Sequence, residues 1–450
     1  MTNVKVPHIS VTETAQSLPV PQRNQVVIGI IGISETAGAD ILNIVQEITS
    51  VSQAEGIFGD NTAYDADLIK MIKVAFAEGA SKIKAVTIGI PTRDASTSST
   101  QGTLTGNVDV GDNTFEVALA TIYADNDVIY VGTGSSYKYE ERHIVNGTPA
   151  SGTTVTIDGT FEFAHYIGEM ANVITEKAST DYATAITAME EDEEKAIVIC
   201  QLNDDTTAGL IKTMCDNSLL NFNTPCVYIR APEFAEAESD VRTNATAHNS
   251  SRILCMWPRL IDFNGRTYRP GENSAALAGV IANNNLPKLN HNFSEFSTVG
   301  AVTAKISNMD TDISAGVTPI QLKYGTIHIV RLVTTYVTKD GVPDTTWQEG
   351  SVRLNVDYII KDITSMVQTK FMQKGNTITT RRAIKEEIKA RLAKFESSEI
   401  LVADERTGTP AYKDPVVVQN ADDATQADVS IELSPGKPLN FITVAFNVYL

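Results

Sequence analysis

Six histidines, at positions 8, 143, 165, 248, 291 and 328, are scattered along the 450 residues, and none is paired with another at helical i, i+4 spacing. The motifs that carry hydrolytic or phosphate chemistry are missing. The chain has no His-Glu-x-x-His, no Gly-x-Ser-x-Gly and no Gly-x-x-x-x-Gly-Lys-Ser/Thr. Gly29, Gly32 and Gly38 follow an apolar run, but their spacing departs from the dinucleotide fingerprint and Thr36 to Asp40 opens no amphipathic helix. Gly132-Thr133-Gly134-Ser135 could cradle a phosphate, and reads more simply as a hairpin loop. The acidic run Glu190 to Glu194 lacks the alternating ligand spacing and glycine turn of a calcium loop, so it reads as a solvated helix end. Cys200, Cys215, Cys226 and Cys255 sit in apolar stretches with no Cys-x-x-Cys pair, which predicts buried small side chains on neighbouring strands and gives zinc or redox chemistry little to stand on. No catalytic, cofactor-binding or metal-ligating residue is expected.

Charge offers one positive signal. Lys plus Arg total 36 against 55 Asp plus Glu, a formal charge of −19, which disfavours nucleic acid as a partner. Yet from Ser351 to Ser398 ten bases face five acids. Arg381, Arg382, Lys385, Lys389, Arg391 and Lys394 fall on one predicted helix, and such concentrated positive charge in an acidic chain fits either a solvated face or an acidic partner. The composition is otherwise ordinary for a globular protein, at 42% hydrophobic and 20% charged residues. The longest apolar run, Val26 to Ile33, is too short to cross a bilayer, and no basic leader precedes it. Membrane insertion and export are not expected, and the chain should begin its life in a cytoplasm.

The elements that would position these residues follow from periodicity. Val4, Val6, Ile9 and Val11 alternate with polar neighbours while Pro7, Pro19 and Pro21 forbid a helix, so residues 1–25 read as an extended arm. Val26 to Ile33 predicts a strand buried on both faces. An amphipathic helix over Asp65 to Glu78, stopped by Gly79, and a strand over Ile83 to Ile90 complete a parallel βαβ unit. From Arg93 the chain becomes rich in Ser, Thr and Gly, with short alternating runs at Thr114–Leu119, Asp127–Val131 and Thr153–Ile157. Eleven acids against three bases between Gln101 and Thr180 predict an outward-facing, inserted β domain over 93–180.

The α/β rhythm then resumes over 181–317. A helix carries Tyr182, Ile186 and Met189, and a second carries Leu210, Ile211 and Met214. A third starts at Pro232 with Phe234, Ala237, Val241 and Ala245 on one face, and a fourth spans Ser274 to Ala282. Strands are predicted at Ala196–Cys200, Val227–Ile229 and Arg252–Trp257. With 26–92 these make a central α/β domain on a mostly parallel sheet. Residues 318–437 read as an α+β domain. It has a strand at Ile327–Val333, a helix striped by Val352, Val356, Ile359, Ile363, Val367 and Phe371, and a helix from Thr379 to Phe395 on Ile384, Ile388, Leu392 and Phe395. Strands at Ile400–Ala403, Val416–Val418 and Asp428–Leu433 follow. Residues 438–450 form a terminal strand arm on which Ile442, Val444, Phe446 and Val448 share a face. Arms of this kind can pair on their own sheet or on a neighbour's open edge, and the prolines favour donation.

Three groups of residues resemble one family. Val27-Ile28-Gly29-Ile30, Ile48-Thr49-Ser50 and Phe58-Gly59 follow the extended arm. Arg269-Pro270-Gly271 leads into the Ala/Gly-rich Ala275 to Ala282. Ile327 to Arg331 precedes Trp347, Val352-Arg353, Asp357-Tyr358-Ile359, two helices and the closing Ile442 to Phe446. In this order they resemble the contractile tail sheath proteins of myophages and related injection machines. The resemblance fails within the β insertion, and Asn283 to Pro287 lacks the family's acidic-residue-then-Gly turn. It implies a structural subunit, not an enzyme, that polymerises as stacked rings around an inner tail tube and contracts to drive the tube through a cell envelope. It also implies arms that complete a neighbour's sheet, the basic helix facing an acidic tube, and baseplate and tail terminator proteins at the ends. The location implied is a virion tail assembled in the host cytoplasm. Two other readings fit parts of the chain: an α/β enzyme with a β-domain lid, and a surface adhesin whose acidic insertion binds a receptor.

Overall fold

The computed structural model describes residues 26–437 except for 37, 61–65, 91, 94–101, 126, 133–140, 150–151, 158–159, 162–163, 176–178, 234–235, 285–289 and 406. Both expected arms, with Val4, Val6, Ile9, Val11, Ile442, Val444, Phe446 and Val448, lie outside the described residues.

The chain opens with β1 (Val27–Gly32), whose residues are buried throughout as a continuous apolar run requires. β2 (Gln46–Ile48), α1 (Val51–Phe58) and α2 (Asp67–Ala77) follow, then β3 (Ile83–Thr87). β1 and β3 pair in parallel, the βαβ relation expected, and Gly79 at φ +113° ends α2. α1 is an element the periodicity does not reveal. It is capped by the Ser50 side chain, which accepts from Gln53 N.

β4 (Thr92–Arg93), β5 (Thr114–Glu116), β6 (Val128–Gly132), β7 (Glu141–Ile144), β8 (Thr154–Thr156) and β9 (Met170–Thr175) make an antiparallel unit. It holds a four-stranded sheet in the order β4-β9-β6-β7 and a β5–β8 ribbon. Its core is its own, built around Phe115, Tyr123, Ile129, Val155 and Phe161, and the Tyr123 hydroxyl donates to Ala171 O at 2.7 Å.

The central layer then continues through α3 (Ser179–Glu190), β10 (Lys195–Cys200), α4 (Asp205–Phe222), β11 (Val227–Arg230), α5 (Glu238–His248), β12 (Ile253–Trp257), β13 (Leu260–Asp262), α6 (Pro270–Asn283), β14 (Val299–Val302), α7 (Met309–Ser314), β15 (Val317–Lys323) and β16 (Thr326–Ile329). The main sheet runs β16-β15-β12-β11-β10-β1-β3-β2, parallel except at its two outermost pairs. α2 and α6 cover one face, and α3, α4 and α5 cover the other. Gly279 lets α6 lie on α2, since a Cβ there would stand 2.7 Å from Ala75 O. Residues 293–296 close the outer edge of β16: Phe293 N donates to Ile329 O (2.7 Å), Phe296 N to Ile327 O (2.9 Å), and Ile329 N to Ser294 O (3.0 Å).

Several expectations are corrected. The central sheet does not stop at 317, because β15 pairs in parallel with β12 and β16 returns beside it. The strand expected over Ile327–Val333 ends at Ile329. No helix starts at Pro232. α5 begins at Glu238, because the preceding loop brings Glu236 onto the buried Arg230 at 2.9 Å. α6 starts at Pro270, earlier than the expected Ser274.

The last part holds a β17 (Thr338–Lys339) and β18 (Val342–Pro343) hairpin, two long helices, α8 (Gly350–Phe371) and α9 (Ile378–Ser397), and a ribbon of β19 (Val416–Gln419) and β20 (Ala427–Ser430). Ile400–Ala403 is not a strand, with a single bridge from Leu401 to Pro435. β20 ends at Ser430, short of Leu433. Among the described residues no helix is long and apolar enough to cross a membrane.

Candidate assembly interface

An open α/β sheet binds small ligands beyond the carboxyl ends of its strands, where strand order reverses. Here that point lies between β1 and β10, and side chains fill it. Gln201 Oε1 accepts from Ile33 N at 2.7 Å. Asn203 Oδ1 accepts from Tyr228 Oη (3.2 Å), Ala231 N (3.1 Å) and Ser274 Oγ (3.3 Å). Gly271 brings α6 down onto them, since a Cβ there would stand 3.1 Å from Gln201 Cα. Arg269 and Asp67 close the entrance at 2.5 Å. Gly29 is a packing glycine, because a Cβ would meet Met189 Sδ at 2.7 Å. Asp192 and Glu194 of the acidic run face Lys84, at 3.6 and 2.8 Å. Among the described residues no cluster of His, Cys, Asp or Glu is arranged to hold a metal ion. Thr133 to Ser135 lie outside the described residues.

Polar chemistry concentrates instead where α8 meets the sheet. Gly350 allows the helix to start against Leu332, with a Cβ there only 2.8 Å from Leu332 Cγ. The apolar stripe Val352, Val356, Ile359, Ile363 and Phe371 is buried as its spacing predicts. So are charges the stripe does not reveal. Asp357 accepts from Arg252, which precedes β12, and from Arg353 one turn earlier, while the Trp347 ring lies 4.3 Å from the Arg353 guanidinium. Lys361 Nζ donates to Lys195 O and, at 3.3 Å, to Glu194 O at the start of β10. Burial pulls the Lys361 ammonium down to about 8. Removing any one partner would leave a buried charge uncompensated, so this joint has one arrangement.

α9 is held differently. Thr377 caps it by accepting from Thr380 N at 3.1 Å. Ile384, Ile388, Leu392 and Phe395, the stripe read from sequence, pack on Ile359, Ile363, Met366 and Phe371. The six bases diverge. Arg381 donates to Asn376 O (3.1 Å) and Oδ1 (2.9 Å), and Arg391 pairs with Asp362 at 2.9 Å. Lys385 and Lys389 share Asp414 at 2.5 and 3.4 Å. Arg382 and Lys394 are exposed and have no ion-pair partner among the described residues.

Beside α8 lies a groove of about 780 Å³, lined by apolar residues including Ile360, Val367, Val429, Ile431, Leu433 and Pro435. The β19–β20 ribbon that forms its other wall shows Val416 and Val418 half exposed, at 52% and 50%. Among the described residues neither outer edge of that ribbon carries a third strand. Two backbone edges and an apolar trough form a template for an added strand.

Residues 342–449 match the family model of the phage tail sheath C-terminal domain. That segment is similar to a tail sheath domain. The sheath fold also extends over the rest of the molecule. The sheath tail protein of Desulfitobacterium hafniense is 11% identical, with 96% of this chain and 100% of that chain covered at a TM-score of 0.56. That of Listeria innocua is 10% identical over 92% of each chain at 0.59. The anti-feeding prophage helical sheath in its contracted state is 13% identical over 99% of each at 0.58. No curated protein sequence matches the chain. The fold is shared with solved sheath proteins over nearly the whole chain, and in this chain the crevice between β1 and β10 is filled by side chains.

Proposed function

We propose that this chain is the structural subunit of a contractile tail sheath. Copies polymerise helically around an inner tail tube, and contraction drives the tube through a target cell envelope to deliver a genome or effectors. The observation that carries this reading is a C-terminal sheath domain on a chain whose whole length shares the fold of sheaths solved as helical assemblies. A heterologous contact whose rotation does not close generates such an open helix.

In this reading the arms, with Val4, Val6, Ile9 and Val11 at one end and Ile442, Val444, Phe446 and Val448 at the other, add strands to the free edges of a neighbour's β19–β20 ribbon. Main-chain pairing suits a tether, because it survives rotation of the bodies it links. The buried α8 joint supports rotation of each subunit as one body. Arg382, Lys389 and Lys394, exposed on α9, face an acidic tube, and exposed ion pairs there are given up at low cost as the sheath widens. The β unit over 92–175 faces outward, and baseplate and tail terminator proteins bind the ends. The sheath resides in a virion tail or injection particle assembled in the host cytoplasm.

Electron microscopy of concentrated purified protein tests the reading, with long hollow tubes expected and discrete particles overturning it. Removing residues 1–25 should leave a folded subunit that forms no fibres. Reversing Arg382, Lys385 and Lys389 to Glu should weaken tube binding and its salt dependence. Asp414→Asn is the control for the lost internal pairs, and unchanged binding would place α9 elsewhere.

A further inference from the structure

Two cysteines eleven residues apart, on consecutive elements, are brought together in the core. Cys215 stands on α4 and Cys226 directly precedes β11, and their sulfurs are 3.5 Å apart. Both side chains are buried and free. A tight reversal fixes their approach: Asn223 takes φ +55°, its N–H donates to Leu219 O at 3.2 Å, and Thr224 N donates to Ser218 O at 3.0 Å.

The surroundings of the pair are cationic. Arg252 Nη1 donates to Cys226 O at 3.3 Å. Lys195 is fully buried, and its ammonium is satisfied by neutral carbonyls, those of Glu190 (2.8 Å) and Asp192 (2.7 Å). Lys361 joins it through Lys195 O. The carboxylates facing this group are Asp357, already shared by Arg252 and Arg353, and Asp192, drawn toward Lys84 at 3.6 Å, with Glu190 bonded to Asn217 at 3.2 Å. A hydrogen bond from the Cys215 thiol, helped by Lys195, Lys361 and Arg252, pulls Cys226 down to about 7 against the opposing effect of burial. The other two thiols are equally buried, and burial pushes them upward, Cys255 to about 12 even with Arg230 beside it, since that guanidinium is shared with Glu236 at 2.9 Å. The molecule thus contains its own control: four thiols of equal burial, two of them paired and set among cations.

We propose that Cys215 and Cys226 are a redox modification site, converted by a peroxide-class oxidant into an intramolecular disulfide that fastens α4 to β11. The Cys226 thiolate attacks one peroxide oxygen, the O–O bond breaks, and hydroxide leaves, giving a sulfenic acid. Cys215 sulfur then attacks the Cys226 sulfur and gives up its proton, and the S–O bond breaks with loss of water. Two thiols are oxidised and one hydrogen peroxide is reduced to two waters. The proposal concerns the isolated subunit and stands apart from the sheath reading.

The test treats full-length native protein with hydrogen peroxide, unfolds it, counts remaining thiols and maps the peptides. Two of the four thiols should disappear, with a cross-link between Cys215 and Cys226 and with Cys200 and Cys255 still alkylatable. The rate should rise with pH through about 7, since the thiolate is the nucleophile. Lys361→Gln should slow the reaction at neutral pH, with the difference closing by about pH 9, where ionisation no longer needs the cation. Loss of all four thiols in parallel, sulfinic acid at Cys226 without the cross-link, or survival of the pair under peroxide that oxidises free cysteine would each overturn the proposal. The wild-type measurement needs no variant to fold.

Discussion

α8 and α9 are neighbours in sequence and in space, yet charge is used on them in opposite ways. On α8, Asp357 binds Arg252 from 105 residues away, and Lys361 reaches carbonyls at Glu194 and Lys195. These groups are buried or half-buried and satisfied by groups of the same chain. On α9, Lys385 and Lys389 meet Asp414 on the surface, and the exposed Arg382 has no ion-pair partner among the described residues. A buried ion cluster tolerates one geometry, because any other leaves a desolvated charge. A surface cluster exchanges water and partners at little cost. The first suits a joint within a body that turns as one piece, and the second suits a face that changes what it touches.

The largest effect should come from breaking the joint. Asp357→Ala strands two arginines and should cost about 3–5 kcal/mol, read from denaturant unfolding, and a loss close to that of a surface mutation would erase the contrast between the helices. Lys361 gives a smaller, pH-dependent effect. Its ordinary value of 10.5 falls to about 8 through burial, so between these limits the unfolded chain binds more protons and this group makes stability rise with pH. Lys361→Met should remove that rise, seen as a wild-type-minus-variant difference that grows from about pH 8 to about pH 10; a flat difference would mean the ammonium is solvated. Asp414→Asn should do least. Its carboxyl is held low by Lys385 and then Lys389 on an open surface, so the thermal midpoint of the isolated subunit should not move. A clear drop there would show that α9, too, is a fixed joint.

What could be read in advance follows the same physics. Val26 to Ile33, Ala196 to Cys200 and Arg252 to Trp257 announce two-sided burial through unbroken apolar runs, and the stripes on α8 and α9 announce their buried faces by spacing alone. Both are local signals. The helix expected at Pro232 fails because Glu236 is needed by Arg230, a demand set by the fold and invisible in the local pattern. Residues 318–329, expected in the C-terminal α+β domain, join the central sheet through β15 and β16, because strand pairing is a long-range choice. The α8 ion cluster is hidden for a related reason, since its members carry meaning only once distant segments meet, whereas the Cys215–Cys226 pair, eleven residues apart, depends on the geometry of one tight reversal. A polar residue inside an otherwise apolar stripe, such as Asp357 between Val356 and Ile359, is the one sequence hint that such a partner exists.

On the proposed sheath reading, a subunit that sticks to its copies must also refuse to stick in the wrong place. The segment over 293–296 occupies the row of amides and carbonyls on β16 that would otherwise be offered to any passing strand. Lateral fusion of central layers is thereby denied on that side, and under the proposed reading accretion is left to the distal ribbon. Uncovering that flank should turn ordered filaments into tangled aggregate.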